Sequence, residues 1–249
     1  MMNPAEFANI AAAEESFWWY RGMREILFRL LDPIARDARS VRVGEAGCGT
    51  GYLSRGLAAR YGWNLYPLDI GAEGLAHAQS YGVPRLVRGD VTALPYRDGS
   101  FDLVLSIDVI PHLERGREHA ALAEAFRTLR PGGWAVLRAA AFEMLRSRHS
   151  QFVAEEQRFT RKRLVAAVEN AGFRVERVTY VNALLMPIAL FKFRVWEPLT
   201  RQKAGSGVQP VAPWLDRLLL APLAWESRWI AKGRGFPAGQ SLLLIARKP

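Results

Sequence analysis

The chain has 249 residues, of which 50% are hydrophobic and 23% charged. This composition is globular, and the length suits one α/β domain with additions and a full core. The only cysteine, Cys48, excludes internal disulfides and cysteine metal clusters, and no grouping of histidines and carboxylates has metal-ligand spacing, so we predict no metal. The formal net charge of +10 favours anionic partners, namely nucleic acid, phospholipid headgroups or a phosphorylated substrate, unless it serves solubility alone.

The first predicted elements are helices, which extend from about residue 4 to residue 36. An aromatic and basic stretch, Phe17 to Arg24, lies at their joint. One interpretation is that its aromatic side chains bury the N-terminal helix against a sheet. Another is that Tyr20 and Arg21 contact a ligand carboxylate, because a guanidinium can bind a carboxylate through two hydrogen bonds.

A glycine-rich loop follows the first predicted strand. Val41 to Gly51 forms an apolar strand that breaks into glycines and then opens a helix. Bare backbone at the carboxyl end of a strand lets a nucleotide-like ligand approach closely. The sixth place of a dinucleotide fingerprint is Tyr52, and no Gly-Lys-Ser or Gly-Lys-Thr ends the loop. The spacing therefore disfavours NAD, FAD, ATP and GTP.

Acidic residues follow the next two predicted strands. The second strand, residues 63–70, carries Asp69 near its end, where a carboxylate can accept hydrogen bonds from ribose hydroxyls. The alternative is that Asp69 caps the helix that begins near Gly71. The third strand, residues 86–91, contains Asp90, which by itself could be an ordinary turn residue.

A continuous apolar run over residues 100–113 is expected for a strand buried on both faces of a parallel sheet. An Arg-Pro-Gly-Gly turn at 130–133 leads into the fifth strand. Together with the glycine loop and the two acids, these elements resemble the class I S-adenosylmethionine-dependent methyltransferases over about 170 residues. In many relatives a glutamate precedes the histidine after the fourth strand, whereas Pro111 occupies that place here.

The resemblance implies an α/β fold with a Rossmann-like, seven-stranded, mostly parallel sheet and flanking helices. It also implies S-adenosyl-L-methionine as cofactor, with Asp90 facing the adenine amino group. The Phe17 to Arg24 stretch resembles one that precedes the core in a methyltransferase type 11-like bacterial subset, which would place residues 1–37 over the cofactor mouth. The cofactor-binding residues expected from the resemblance are Tyr20, Arg21, Glu45, Gly47, Cys48, Gly49, Gly51, Asp69, Ile70, Asp90, Val91 and Ile107.

Two histidines lie near the expected site. His112 follows the fourth strand, and His149 lies in the variable stretch 141–160. Either could act as a general base if the methyl acceptor must lose a proton. The alternatives are that His112 orients its loop and that His149 is solvated. The bacterial subset often has a histidine before an Arg-aromatic-Thr sequence, but Ala154 and Glu155 stand where those relatives tend to carry two more histidines.

The last predicted elements enclose an insertion. A helix over 160–171 and a sixth strand over 173–180 precede it, and a seventh strand over 241–246 follows it. We expect residues 182–239 to form a helical cap inserted before the last strand, attached to a core of residues 38–181 and 240–249. Because the sixth strand runs parallel to the others, the cap should leave from the ligand-binding edge of the sheet.

The cap contains a predicted amphipathic helix over 213–232, which Pro222 is expected to bend or divide. Its predicted apolar side comprises Trp214, Leu218, Trp225 and Trp229, and it is widened by Leu215, Leu219, Pro222 and Ile230. Its predicted polar side comprises Asp216, Arg217, Ser227 and Arg228. The tryptophan side would pack on its own domain, on a second copy in a homodimer, or on a membrane surface.

We therefore predict a methyltransferase that acts on an apolar or lipid- or sugar-linked small molecule, such as a natural-product or glycan intermediate. One alternative is a methyltransferase-fold protein that binds the cofactor and catalyses a non-methylating reaction; another is a membrane or partner adaptor with a degenerate site. Nucleic acid is disfavoured because no RNA-binding module is recognisable. The absence of a signal sequence and of a bilayer-length apolar run predicts a cytoplasmic protein, with peripheral membrane attachment left open.

Overall fold

A seven-stranded sheet forms the centre of the molecule. The computed structural model describes residues 2–37, 41–200, 203–208 and 211–249. The strand order is β3-β2-β1-β4-β5-β7-β6, and β7 is antiparallel to both of its neighbours while the other pairs are parallel. The predicted Rossmann-like, mostly parallel sheet is thus confirmed. The strands are β1 (Arg42–Ala46), β2 (Asn64–Asp69), β3 (Val87–Arg88), β4 (Phe101–Ile107), β5 (Leu129–Ala140), β6 (Arg174–Val181) and β7 (Ser241–Arg247).

Helices cover both faces of this sheet. They are α1 (Pro4–Ala13), α2 (Trp18–Asp37), α3 (Tyr52–Tyr61), α4 (Ala72–Ser80), α5 (Glu118–Thr128), α6 (Arg148–Phe152), α7 (Arg161–Asn170), α8 (Met186–Phe191), α9 (Glu197–Thr200) and α10 (Pro213–Ala231). Single 3₁₀ turns span Ile110–His112 and Glu143–Leu145, and a π-helical turn, Lys192–Trp196, joins α8 to α9. One apolar cluster packs α2, α3 and α10 on the sheet, and a second packs α5 and α7.

The fourth and fifth strands show how the apolar pattern sets the sheet. Leu103 and Leu105 of β4 are fully buried, as their continuous apolar run predicted. Strand β5 is longer than predicted, because Leu129 already pairs with Phe101 before the predicted Arg-Pro-Gly-Gly turn, and the register then jumps to the pair Leu103 and Trp134. The turn therefore lies as an irregularity inside β5.

Helix α10 differs from its prediction in two ways. It continues through Pro222, which does not divide it. Its buried side contains Leu223, Glu226, Ser227 and Ile230, so the prediction that Ser227 faces away from the packed side is wrong. Trp214 is 67% exposed and Trp225 is 46% exposed.

A close approach between helices explains this orientation. A Cβ atom on Gly22 of α2 would lie 2.4 Å from Cδ1 of Leu223. The bare backbone of α2 at Gly22 therefore receives Leu223, and this contact fixes which side of α10 faces inward. Across the described ranges, no helix has the length and the apolar character to cross a bilayer.

Candidate functional site

A cavity of about 500 Å³ opens at the carboxyl ends of β1, β2 and β4, and helices α1 and α2 roof it. This volume is typical of small-ligand sites. Of the residues predicted from the sequence, those in the cavity wall are Tyr20, Glu45, Gly47, Cys48, Gly49, Asp69, Ile70, Asp90, Val91, Ile107, His112 and His149. Arg21 and Gly51 lie outside it.

The glycine loop has a backbone that other residues would strain. Gly47 has a φ of 89°, and a Cβ atom there would lie 2.2 Å from Cγ2 of Val109. Gly49 has a φ of 53°, but its nearest neighbour beyond the adjacent residues would be Phe7, 3.9 Å away. The backbone at Gly49 is therefore open toward the cavity. Gly51 has a φ of 73° and caps the start of α3 instead of lining the cavity.

Asp69 is fixed at the end of β2 by two backbone donors. The amide of Gly49 donates to its Oδ2 at 2.7 Å, and the amide of Gly71 donates to its Oδ1 at 2.8 Å. The second contact holds the turn that leads into α4, whose N-cap is Gly71 and not Asp69. Because an ionised carboxylate has about four acceptor positions, Asp69 keeps capacity for hydroxyl donors on its cavity side.

Asp90 is held in an ionised state near the end of β3. Its Oδ1 accepts from the amide and hydroxyl of Thr92, each at 2.8 Å, and its Oδ2 lies 3.1 Å from Nη2 of Arg117. Burial alone would raise the pKa of this carboxyl, but the Thr92 hydrogen bonds and the Arg117 charge outweigh it and lower the pKa below its usual value. Asp90 is thus available as an acceptor only.

Glu45 lies beneath the glycine loop and is 3% exposed. The hydroxyl of Ser54 donates to Oε2 of Glu45. Burial raises the pKa of Glu45 to about 7, against the effect of the Ser54 hydrogen bond and with a further contribution from the Asp69 charge. Glu45 therefore changes its protonation near neutral pH.

Glu14 is a buried carboxylate that the sequence analysis missed. It is 5% exposed, and its Oε2 accepts from Oγ1 of Thr50 at 2.6 Å. Its Oε1 is buried without a hydrogen-bond partner among the described residues. Burial raises the pKa of Glu14, although Thr50 opposes this. Such an orphaned acceptor in a cavity wall suits a donor supplied by a ligand.

On helix α2 the arginine that faces the cavity is Arg24, which was not among the residues predicted from the sequence. Arg21 points outward and lies 3.1 Å from Oδ2 of Asp216. Arg24 lines the cavity, and its guanidinium lies 4.9 Å from the centre of the Tyr52 ring. Tyr20 and Arg24 are four residues apart and share one side of α2, whereas Arg21 does not. This helical spacing is the signal that could have identified Arg24.

The two histidines present different ring nitrogens to the protein. Nδ1 of His112 lies 3.4 Å from the carbonyl oxygen of Ala154, which can only accept, so the neutral ring carries its proton on Nδ1. Its Nε2 has no hydrogen-bond partner among the described residues. Nδ1 of His149 instead accepts from the amide of Gly207 at 2.9 Å. The neutral His149 ring therefore carries its proton on Nε2. Burial lowers the pKa of His149 despite the opposing charge of Glu6, which favours the neutral ring.

The cavity wall is acidic although the chain as a whole is basic. Eight carboxylates line it, against three arginines. The carboxylates belong to Glu6, Glu14, Glu45, Asp69, Asp90, Asp108, Glu114 and Glu156, and the arginines are Arg24, Arg117 and Arg138. Within the described ranges, no group of three or more potential ligands could hold a metal ion. The wall is therefore suited to a ligand that carries positive charge.

The sheet order, the glycine loop and the acids at successive strand ends define the fold of the class I S-adenosylmethionine-dependent methyltransferases. Residues 44–137 match the family model described as the methyltransferase domain. The match covers less than half of the chain, and it shows that residues 44–137 are similar to this family.

Individual relatives match this region at moderate identity. A Mycolicibacterium smegmatis protein named "Probable S-adenosylmethionine-dependent methyltransferase" is 34% identical over 122 residues, which is 49% of this chain and 44% of that protein. A 2-methyl-6-phytyl-1,4-hydroquinone methyltransferase of Synechocystis sp. is 35% identical over 94 residues, which is 36% of this chain and 29% of that protein. The chain thus spans less than half of the length of these curated relatives.

A solved structure shows the same fold over a longer stretch. The structure of a SAM-dependent methyltransferase from Thermotoga maritima superimposes with a TM-score of 0.58 and 18% identity, covering 93% of this chain and 91% of that one. At this identity the likeness concerns the fold alone.

Proposed function

We propose that the protein transfers a methyl group from S-adenosyl-L-methionine to an apolar or lipid- or sugar-linked small molecule. The observation that carries the proposal is Asp69, whose carboxylate is held by the amide of Gly49 at 2.7 Å and faces the cavity beside the open glycine backbone. A carboxylate at this point of a doubly wound sheet is suited to the hydroxyls of a ribose.

The residues of the cavity fit this cofactor. Asp69 would hold the sugar, and Asp90 with Val91 would border the adenine. Arg24, with Tyr20 beside it, would bind the methionine carboxylate in the role that the sequence analysis gave to Arg21. The orphaned Oε1 of Glu14 and the acidic wall suit the positive charges of the ligand. When bound, the cofactor supplies an electrophilic methyl group on a sulfonium.

The chain itself contributes alignment, exclusion of water and a proton acceptor. Helix α1 covers the loop through Phe7, which also lies within 3.1 Å of the Cβ positions of Gly71 and Gly74. Such a closed site favours alignment of the acceptor with the methyl group. His112 is the proton acceptor that we propose, because its Nε2 is free to take a proton. His149 is a positioning residue, since its Nδ1 is occupied by Gly207.

The part of the cavity wall beyond the glycine loop indicates the class of methyl acceptor. Ile10, Trp19, Leu113 and Val153 contribute apolar surface there. The excess of carboxylates disfavours a phosphorylated acceptor, which would add like charge. One curated relative is named for a phytylated hydroquinone, and an acceptor with an apolar body is the kind that we propose here.

Calorimetric titration tests the cofactor part of the proposal. Purified protein should bind S-adenosylmethionine and its demethylated product, and Asp69→Ala should weaken both affinities about 10-fold or more, because a charge-assisted hydrogen bond contributes roughly 1.5–3 kcal/mol. The matched control is Asp98→Ala, which removes an aspartate whose side chain is 80% exposed. Equal binding by the Asp69 and Asp98 variants would refute the assigned site.

A labelled methyl group tests the transfer. Incubation with methyl-labelled cofactor and a panel of apolar hydroxyl and amine acceptors should place label in a product. A product that forms only with cofactor present and carries no label would replace methyl transfer with the non-methylating alternative.

A further inference from the structure

The exposed apolar side chains of the molecule are concentrated in one region. Among the described residues, nine of the eleven large hydrophobic side chains that are exposed lie between residues 184 and 225. They are Leu184, Ile188, Phe191, Val195, Trp196, Leu199, Trp214, Leu218 and Trp225. We call these nine side chains the cap surface. A patch of this kind marks an interaction site in a soluble domain.

Most of the cap surface follows a helical repeat. Residues 188, 191, 195 and 199 recur every three or four positions along the nearly continuous helical stretch Met186–Thr200, and Leu184 lies in the turn just before it. They therefore share one side, and that side faces outward, with Phe191 61% exposed and Leu199 74% exposed. An amphipathic helix normally turns such a side toward the core, so this helical stretch is oriented for an external partner.

The second part of the cap surface lies on α10 and is tied to the first. Trp214, Leu218 and Trp225 face away from α2. The two parts meet where the amide of Leu184 donates to Oε1 of the fully buried Glu226 at 2.8 Å. This contact anchors the residues just before the helical stretch to α10.

The available charges around the cap surface are positive. Exposed basic residues of the cap are Lys192, Arg194, Lys203, Arg217, Arg228, Lys232 and Arg234. Its three carboxylates are engaged elsewhere: Glu197 accepts from the amide of Arg148, Asp216 pairs with Arg21, and Glu226 is buried. Exposed tryptophan, phenylalanine and leucine bordered by lysine and arginine is the pattern of a surface that lies in the interface of an anionic bilayer.

We propose that the cap surface docks the protein onto the anionic headgroup region of a lipid bilayer. A second copy of the chain is the weaker occupant, because pairing two cap surfaces would bring two sets of unpaired cations together. Docking also brings the bilayer near the cavity, since Ser206 and Gly207 of the same cap contact Glu6 and His149 in the cavity wall, each at 2.9 Å. The docking itself does not depend on methyl transfer.

Sedimentation with vesicles tests the docking without any cofactor. The protein should co-sediment with vesicles of phosphatidylglycerol and phosphatidylcholine, and bind pure phosphatidylcholine vesicles at least 10-fold more weakly. Binding should fall further when the salt concentration rises from 0.1 M to about 0.5 M, where the Debye length is less than half as long. Phe191→Ser combined with Trp196→Ser should reduce binding to the anionic vesicles about 10-fold or more, because each removes a large inserted side chain.

Two lysine substitutions, one in the cap and one outside it, provide the matched control. Lys192→Glu, within the cap surface region, should weaken anionic-vesicle binding several-fold, whereas Lys162→Glu, which makes the same change on α7, should not. All variants change exposed or half-exposed side chains and should keep the thermal midpoint of the parent and its cofactor affinity by calorimetry. Equal binding to both vesicle types, or equal effects of the two lysine variants, would overturn the proposal. A parent that sediments as a dimer in ultracentrifugation, and becomes monomeric in the Phe191/Trp196 variant without binding vesicles, would assign the surface to a second copy instead.

Discussion

Glu45 and Asp69 show how single carboxylates at the same edge of a sheet acquire different properties. Asp69 is partly exposed and receives two backbone amide donors. Glu45 is buried with one hydroxyl donor, and burial raises its pKa to about 7. The buried environment of Glu45, and not its residue type, therefore sets its pKa.

The titration of Glu45 predicts a pH-dependent stability. Its pKa in the folded protein, about 7, lies above the ordinary value of 4.5, so the folded state binds the proton more tightly. Its stabilising contribution is fully present below pH 4.5 and is lost as the pH rises through 7. In Glu45→Gln, the free energy of unfolding should fall less between pH 5 and pH 8 than in the parent, by up to about 3 kcal/mol.

Urea denaturation at several pH values measures this difference. Glu73→Gln on the exposed side of α4 is the matched control and should follow the parent curve. Parallel curves for the parent and Glu45→Gln would contradict the assignment of the titrating group.

The ring geometry predicts that the two histidines respond differently to substitution. With an acceptor that must lose its proton, His112→Asn should lower kcat about 100-fold or more and remove an ionisation from the pH profile, because general-base catalysis typically contributes 10²–10⁴-fold. His149→Asn should change KM more than kcat and keep the profile. Steady-state kinetics across pH 6–9 distinguishes the two variants. A large loss of kcat in His149→Asn, with little change in His112→Asn, would exchange the roles of the two histidines.

Among single residues, the sequence predicted those that belong to motifs better than those outside motifs. The spacing of the glycine loop predicted Asp69 and Gly49 as site residues, and both lie in the cavity wall. No motif predicted Glu14 or Arg24, because their place in the site depends on how α1 and α2 cross the sheet. Sequence spacing can place Arg24 beside Tyr20 on one helical side, but it cannot say which side meets the cavity.

Among the helices and strands, the orientation of α10 on α2 is the one that side-chain packing decides most directly. The helical pattern of α10 left open whether its tryptophan side packs on its own domain, on a second copy or on a membrane. In the structure the side with Leu223 faces α2, because Gly22 leaves room for it. Burial of Glu226 is compatible with this orientation because the backbone of Leu184 satisfies one carboxylate oxygen, while burial raises the pKa of the group.

The Gly22 contact predicts a strong effect of one methyl group. Gly22→Ala should lower the free energy of unfolding by about 1–3 kcal/mol, the usual cost of overpacking, because its Cβ would lie 2.6 Å from Cβ of Leu223. Gly56→Ala on α3 is the matched control. Its nearest contact would be 3.5 Å from Phe28, so the better helix propensity of alanine should stabilise by about 0.5–1 kcal/mol. Chemical denaturation gives both values, and equal signs would disprove the close approach.

For the whole molecule, the sheet was far more predictable than the cap. Apolar runs that end at or next to a glycine or aspartate mark the strands β1 to β4, and buried strands leave few other arrangements. The cap has no such constraint, since its helices could bury either side. Its outward tryptophans are visible only once α10 is seen on α2.

A shared cavity predicts cooperative stabilisation by ligand. The cavity wall draws on α1, α2 and the sheet, so bound cofactor links the N-terminal helices to the core. At 100 times its dissociation constant a ligand stabilises by about 2.7 kcal/mol, which corresponds to a rise in Tm of about 5–10 °C for a chain of this size. Differential scanning calorimetry should show this rise for the parent and for Asp98→Ala. A similar rise in Asp69→Ala at the same cofactor concentration would contradict the site.

The buried position of Cys48 makes local opening at the glycine loop measurable. It is the only cysteine in the chain, it is 7% exposed, and burial raises the pKa of its thiol. A maleimide can react with it quickly only when the thiol becomes accessible, because the thiolate is the reactive form and burial suppresses it. The rate at which the unmodified protein is labelled therefore measures how often Cys48 becomes accessible, and no additional cysteine has to be introduced.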